Sequence, residues 1–335
     1  MLAGWWSESC AKSIEVWVGN LSKDRLGLNQ SEWDRLGGRS PHGSITTIIH
    51  NGAAVHWIAD YNELKSANVS STFHLLKAAL QSPRLRRMVY VSGGRASGQD
   101  DDLLLEDEDV SGYVKTKCVS ERLVLAMACR ATEQPDKFAV VKPGLIIADS
   151  NSDYVNADDF LWRMVASCIN ARAFPTEGGN SWLPIADVVS VSKHVLHQTL
   201  EKHIEAFSVV GHGLPTFSFW RAVEEGVGIS LVEADMAAWK KVIQEAIQER
   251  GEDHPLWPVQ QFIGEIGIDR AKWSGEEPNG SATGELKMKV QLEKAIIRNA
   301  QNLVALKGGN TRMQKAEGLG RSKFVKPSEV AASAR

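Results

Sequence analysis

Two short stretches of the chain place a tyrosine four residues before a lysine: "SGYVKTK" (111–117), with Tyr113 and Lys117, and "YNELK" (61–65), with Tyr61 and Lys65. Four residues apart on a helix is one face, where an ammonium can lower the pKa of a phenol and let it exchange a proton near neutral pH. The same spacing also describes an ordinary solvated helix turn, so context decides. "MVYVS" reads as a strand with Ser92 at its carboxyl end, shortly before Tyr113, and open parallel sheets bind ligands at that edge. A hydroxyl there would share a developing oxyanion. Tyr61 and Lys65 follow "IIHNGAAVHW", which has no hydroxyl in the equivalent place. Ser92, Tyr113 and Lys117 are therefore read as a catalytic group, and Tyr61 with Lys65 as a solvated turn.

Holding such a trio requires a strand edge and a helix in fixed relation. Apolar runs at 14–20, 45–53, 87–94, 138–146 and 206–212 read as buried parallel strands, and 61–80 and 112–132 as crossover helices between them. This alternation predicts an α/β, Rossmann-like doubly wound parallel sheet over residues 1–150, with the strand at 206–212 returning to it. Residues 151–307 read as a mainly helical substrate cap, and the basic, polar 308–335 as a disordered tail. The apolar positions Phe160 to Cys168 and Phe217 to Trp220 suit a pocket lining and a core equally well.

With 335 residues and 43% hydrophobic content the chain can bury a sizeable core. Its net charge of -3 gives no field that would favour nucleic acid or an anionic membrane, which leaves a small or protein-bound substrate. Cys10, Cys118, Cys129 and Cys168 have neither CxxC nor metal-ligand spacing, so no metal site is expected and a reduced, cytoplasmic setting is. No basic-then-apolar leader and no apolar run long enough to span a membrane is evident.

"IEVWVGNLSKDRLGL", "IIHNGAAVHW", "LKSANVSSTFHLL", "VYVSGG" and "KPGLI", in this order, resemble the thioester reductase domains of fungal nonribosomal peptide synthetases and related carboxylate-reducing synthetases, in the extended short-chain dehydrogenase/reductase superfamily. "DDFLWRMVASCI", "SWLPIADVVSVS" and "GEDHPLWPVQQFI" extend the resemblance, which runs from about Trp6 to about Lys307. It implies NADPH-dependent reductive release of an acyl or peptidyl thioester, carried on a phosphopantetheinylated carrier protein, to an aldehyde or on to an alcohol. Tyr113 would give the proton, Lys117 would lower its pKa and hold the nicotinamide ribose, and Ser92 would bond the carbonyl oxygen. Asn68 would support Lys117 through water. His50, Asn51, Gly52 and Ala53 would line the cofactor cleft, Pro143 and Gly144 would form the turn beside the nicotinamide, and Asn20 would stand near the adenine. His50 could equally be a satisfied core residue.

The sequence departs from that family at its start, where a strand, a GxxGxxG turn, a helix and a second strand are expected. "GGRASG" (93–98) belongs to the loop after Ser92, "GHGLPTF" (211–217) comes too late and "GLGRSK" (318–323) lies in the tail, so none precedes a helix within a strand-helix-strand unit as a phosphate loop must. The expectation is an N-terminally shortened reductase that keeps the catalytic residues and cap and binds NADPH poorly or not at all. Two further readings are a remnant that only docks a carrier protein, and a release domain that cyclises its thioester without redox chemistry. The retained Tyr113 argues against the latter.

Overall fold

A computed structural model of the protein describes residues 7–40, 45–56, 58–93, 105–106, 110–176, 182–210, 213–263 and 282–316. In chain order the strands are β1 (Thr47–His50), β2 (Arg87–Val91), β3 (Phe138–Lys142), β4 (Leu145–Ile147), β5 (Ala173–Thr176), β6 (Trp182–Leu183), β7 (Ile185–Asp187), β8 (Phe207–Val209), β9 (Leu214–Pro215) and β10 (Val232–Asp235). The helices are α1 (Glu8–Lys12), α2 (Gln30–Leu36), α3 (Tyr61–Lys65), α4 (Ser71–Gln81), α5 (Gly112–Arg130), α6 (Phe160–Ala171), α7 (Val188–Leu200), α8 (Thr216–Val227), α9 (Met236–Arg250) and α10 (Ala282–Ala316).

The central sheet runs β1-β2-β3-β8, and every pairing in it is parallel. Successive side chains of a strand point to opposite faces, and here both faces are covered. Met88, Tyr90, Phe138 and Val140 pack with Leu75, Leu76 and Val124 of α4 and α5. Val89, Val91, Ala139 and Val141 pack with Val191 and Val195 of α7. This two-sided burial explains why the strands read as continuous apolar runs. A third core gathers α6, α8, α9 and α10, centred on Trp162, Phe219, Trp239, Ile243 and Ile296. The apolar positions between Phe160 and Cys168, with Phe219 and Trp220, belong to it, whereas Phe217 is exposed beneath the Arg221 guanidinium.

Four details differ from the expectations. Residues 14–20 form no strand: Ile14, Val16 and Val18 are exposed, at 51%, 80% and 87%. A strand needs a ladder partner, and on this side the described sheet ends at β1. Side chains hold the segment instead, with Arg35 donating twice to Glu15 and stacking over Trp17. The run at 138–146 is two strands, because Pro143 and Gly144 turn the chain between β3 and β4 with Gly144 at φ 73°. The expected helix over 61–80 is interrupted by a π-helical turn at Ser66–Ser70. Finally, α10 runs to Ala316, into the stretch expected to be a disordered tail, since adding residues to an existing helix is far easier than nucleating one. Residues 317–335, with "GLGRSK", and all of "GGRASG" beyond Gly93 lie outside the described residues.

Candidate active site

The Ser111 side chain caps α5 by accepting from the Val114 N–H at 3.4 Å. The helix start is pressed against the start of α3 at Gly112, where a Cβ would stand 2.3 Å from the Asp60 carbonyl carbon. This contact sets Tyr113 at the carboxyl edge of the sheet. One turn later Lys117 is buried, with its Nζ donating to the Val91 carbonyl at 2.7 Å and lying 4.3 Å from the centre of the Tyr90 ring. Burial lowers Lys117 from 10.5 to about 8, and the Glu121 charge opposes that fall. Tyr113 moves the other way: burial raises its phenol above the ordinary value. The expected lowering of Tyr113 by Lys117 is thus not found, since the ammonium is bound to a carbonyl and an aromatic face instead. Tyr113 is protonated at neutral pH, and its hydroxyl has no hydrogen-bond partner among the described residues.

Ser92 ends β2, its N–H donating to the Val141 carbonyl at 2.9 Å. Its hydroxyl donates to Glu121 Oε2 at 2.7 Å, and Lys142 Nζ lies 3.3 Å from the same oxygen. A serine hydroxyl has one proton. Ser92 was expected to bond a carbonyl oxygen, but as placed it gives that proton to a carboxylate.

Asn68 is 2% exposed and sits in the π turn, a distortion often found at functional sites. Its Oδ1 accepts from the Ala54 N–H at 2.7 Å, while Nδ2 donates to the Ala54 carbonyl at 3.1 Å and to Thr116 Oγ1 at 2.9 Å. The amide ties the segment after β1 to α5. The displaced Asn68 carbonyl accepts from Thr72 and Ser120. His50 is buried against Thr72 at 3.0 Å, and burial and then the Lys117 charge lower it to about 4. It is therefore neutral at physiological pH and paired with Thr72.

Asn51 and Gly52 are exposed and Ala53 half-buried just beyond β1, Pro143 and Gly144 are buried, and Asn20 accepts from the Ser22 N–H through its own side chain. Lys65 and Tyr61 form a solvent-facing pair, with 5.9 Å from Nζ to the ring centre. A cavity of about 520 Å³ between α7 and α10, lined by Asp187, Lys193, His194 and Val209, holds none of the sequence-predicted residues. Sequence reasoning missed Glu121, although it continues the Tyr113, Lys117 spacing by one more turn. It also missed Thr116 and Tyr90, whose roles depend on contacts across elements.

Residues 3–195 match a family of NAD-binding domains described as Male sterility protein, more than half of the chain. The chain belongs to this family. It is a thioester reductase domain of the nonribosomal peptide synthetase kind with an extended short-chain dehydrogenase/reductase fold, as the sequence resemblance implied. The reductase domain is 33% identical over 308 residues to the N-benzoylphenylalaninol synthetase apmA of Penicillium brevicompactum, covering 90% of this chain and 13% of that protein. It is 37% identical over 267 residues to the synthetase malG of Malbranchea aurantiaca, covering 78% and 11%. The chain thus spans about a tenth of the length of these curated relatives. Among solved structures it is similar to the PhqB reductase domain from Penicillium fellutanum, at a TM-score of 0.74 and 29% identity over 91% of this chain and 80% of that one. It shares its fold with the terminal R domain of the myxalamid pathway, at a TM-score of 0.66 and 20% identity, covering 91% and 77%.

The family implies a nicotinamide dinucleotide, and the described residues fit one end of it. Gly93 stands beside Lys117, an added Cβ there lying 4.0 Å from the Lys117 Cβ, an ordinary van der Waals contact. The N-termini of α3, α6 and α7 are capped by the carboxylates of Asp60, Asp159 and Asp187, which occupy the amides a phosphate would use.

Proposed function

We propose that this reductase domain releases an acyl or peptidyl chain from a carrier-protein thioester by NADPH-dependent reduction to the aldehyde. The observation that carries this reading is Tyr113, a protonated phenol with no partner among the described residues, one helical turn from the buried ammonium of Lys117. A phenol that is protonated at neutral pH has a proton to donate and cannot abstract one, which is the direction a reduction requires. The cofactor, when bound beside Lys117 and the Pro143–Gly144 turn, supplies the hydride. Tyr113 delivers the proton to the oxygen on which negative charge develops, giving a hemithioacetal; its C–S bond then breaks, the hydroxyl proton is given up, and the pantetheine leaves as the thiol while the carbonyl re-forms as the aldehyde. Lys117 keeps a buried positive charge one turn away, although in the site as placed it is bound to the Val91 carbonyl and does not lower Tyr113. The relatives are multidomain synthetases, and one similar solved chain is a thiolation-reductase di-domain from an archaeal nonribosomal peptide synthetase. They support a carrier protein with its phosphopantetheine arm as the partner.

The test is turnover of a synthetic acyl-pantetheine thioester by the purified chain, followed by loss of reduced nicotinamide absorbance and by aldehyde trapping, with NADPH and NADH compared. Tyr113→Phe is expected to reduce turnover by about 10²–10⁴-fold with little change in KM. No turnover by the wild-type chain with either cofactor sinks the proposal.

A further inference from the structure

Glu121 is the one acidic residue that is buried among the described residues, at 7% exposure. It lies one turn beyond Lys117 and two beyond Tyr113, so all three project from one face of α5. Its carboxylate accepts from the Ser92 hydroxyl at 2.7 Å, and its two oxygens lie 3.3 and 3.4 Å from Lys142 Nζ. Ser92 comes from the end of β2 and Lys142 from the end of β3, so one side chain joins two strand ends to the helix that carries the tyrosine. An isolated carboxylate at this depth is costly. Here two partners satisfy it, and the buried ammonium of Lys117 lies close enough to feel its charge.

We propose that Glu121 is a positioning residue of this site: it fixes the Ser92 hydroxyl and is the buried counter-charge shared by Lys142 and Lys117. This rests on the reductase reading for its chemical meaning but not for its test. With its proton given to Glu121, Ser92 offers an incoming ligand lone pairs alone, so the proton for the substrate oxygen comes from Tyr113. The titratable groups around Lys117 are His50 on β1, Tyr90 on β2, and Tyr113 and Glu121 on α5, with Lys142 on β3 reaching the far side of Glu121. Glu121 alone among them brings a negative charge at neutral pH.

The experiment follows the Lys117 ammonium directly, by NMR titration of the full chain carrying ¹³C at lysine Cε, with Lys117→Met identifying the signal. Glu121→Gln keeps the shape and an acceptor for Ser92 but removes the charge. It is expected to move the Lys117 midpoint to lower pH by about one unit, while Glu121→Asp, which keeps the charge, holds it within a few tenths of wild type. A Glu121→Gln midpoint equal to that of wild type, or equal shifts in both variants, overturns the proposal. Lys142→Gln provides a second arm that leaves α5 untouched. Freeing the Glu121 carboxylate from Lys142 leaves its charge to Lys117 and is expected to move the Lys117 midpoint to higher pH, and an unmoved midpoint overturns the proposal. Turnover by the Glu121→Gln chain is expected to lose its alkaline side about one pH unit earlier. If the wild-type chain does not turn over, the reductase reading fails while the titration still decides the role of Glu121.

Discussion

Replacing Lys117 with methionine separates what the buried ammonium does for chemistry from what it costs the fold. The structure lowers Lys117 from 10.5 to about 8, with burial as the leading cause. That difference is worth about 3 kcal/mol in the folding equilibrium. The sign follows from proton counting. The unfolded lysine keeps its proton until near pH 10.5, whereas the folded one releases it near 8. Below the lower value both states are charged and the folded state carries the full cost of burial. Between the two values the unfolded state binds more protons, so stability rises with pH, and above both the cost has vanished. Lys117→Met has no such dependence. The variant also leaves the Val91 carbonyl without its 2.7 Å donor, but that loss does not vary with pH and cancels when pH values are compared. Urea denaturation followed by fluorescence of the chain's 11 tryptophans, at steps from neutral pH to pH 10.5, measures the difference. Wild type is expected to gain about 3 kcal/mol on the variant across that range. A gap constant to within about 0.5 kcal/mol refutes the claim that burial, rather than the Val91 and Tyr90 contacts, dominates this lysine.

The same titration predicts that reductive turnover falls as pH rises through about 8, because the site then loses the buried positive charge of Lys117; a rate profile flat through that region contradicts the role given to it. Asn68→Ala leaves the Ala54 N–H and carbonyl without their side-chain partner and removes the donor to Thr116, which keeps its bond to the Tyr113 carbonyl, and a loss of about 2–3 kcal/mol is expected from the urea midpoint. Gly112→Ala drives a methyl into the Asp60 carbonyl carbon at 2.3 Å. It is expected to cost about 1–3 kcal/mol and to reduce turnover, because the start of α5 and Tyr113 with it must move.

Much of this architecture is readable from local pattern. The two-sided burial of β2 and β3 leaves apolar runs that announce a parallel sheet, and the Tyr113, Lys117 helix is marked by its spacing and by the strand before it. What escapes is set by partners distant in the chain. Ile14, Val16 and Val18 alternate as a strand should, yet no local pattern reveals whether a neighbouring strand is there to pair with. Ser92 is a plausible oxyanion donor by position, and only the meeting of β2 with α5 shows that Glu121 takes its proton. His50 ends a strand as a cleft residue would, and only the fold shows it paired with Thr72 from a later helix. The direction of the Tyr113 shift depends on where the Lys117 ammonium points, which spacing on a helix does not determine.

The π turn at Ser66–Ser70 accommodates more residues per turn than the helices on either side of it. Each residue of an α-helix advances the azimuth by about 100°, so the wide turn acts as a phase adjuster between α3 and α4. Deleting one residue there would look like a trivial gap in an alignment. It would nevertheless swing α3 about its axis by that angle, pull Asn68 away from Ala54 and Thr116, and disturb the surface on which Gly112 rests. For this segment, residue count is under tighter structural control than residue identity, and variants tolerated by substitution are expected to fail by deletion.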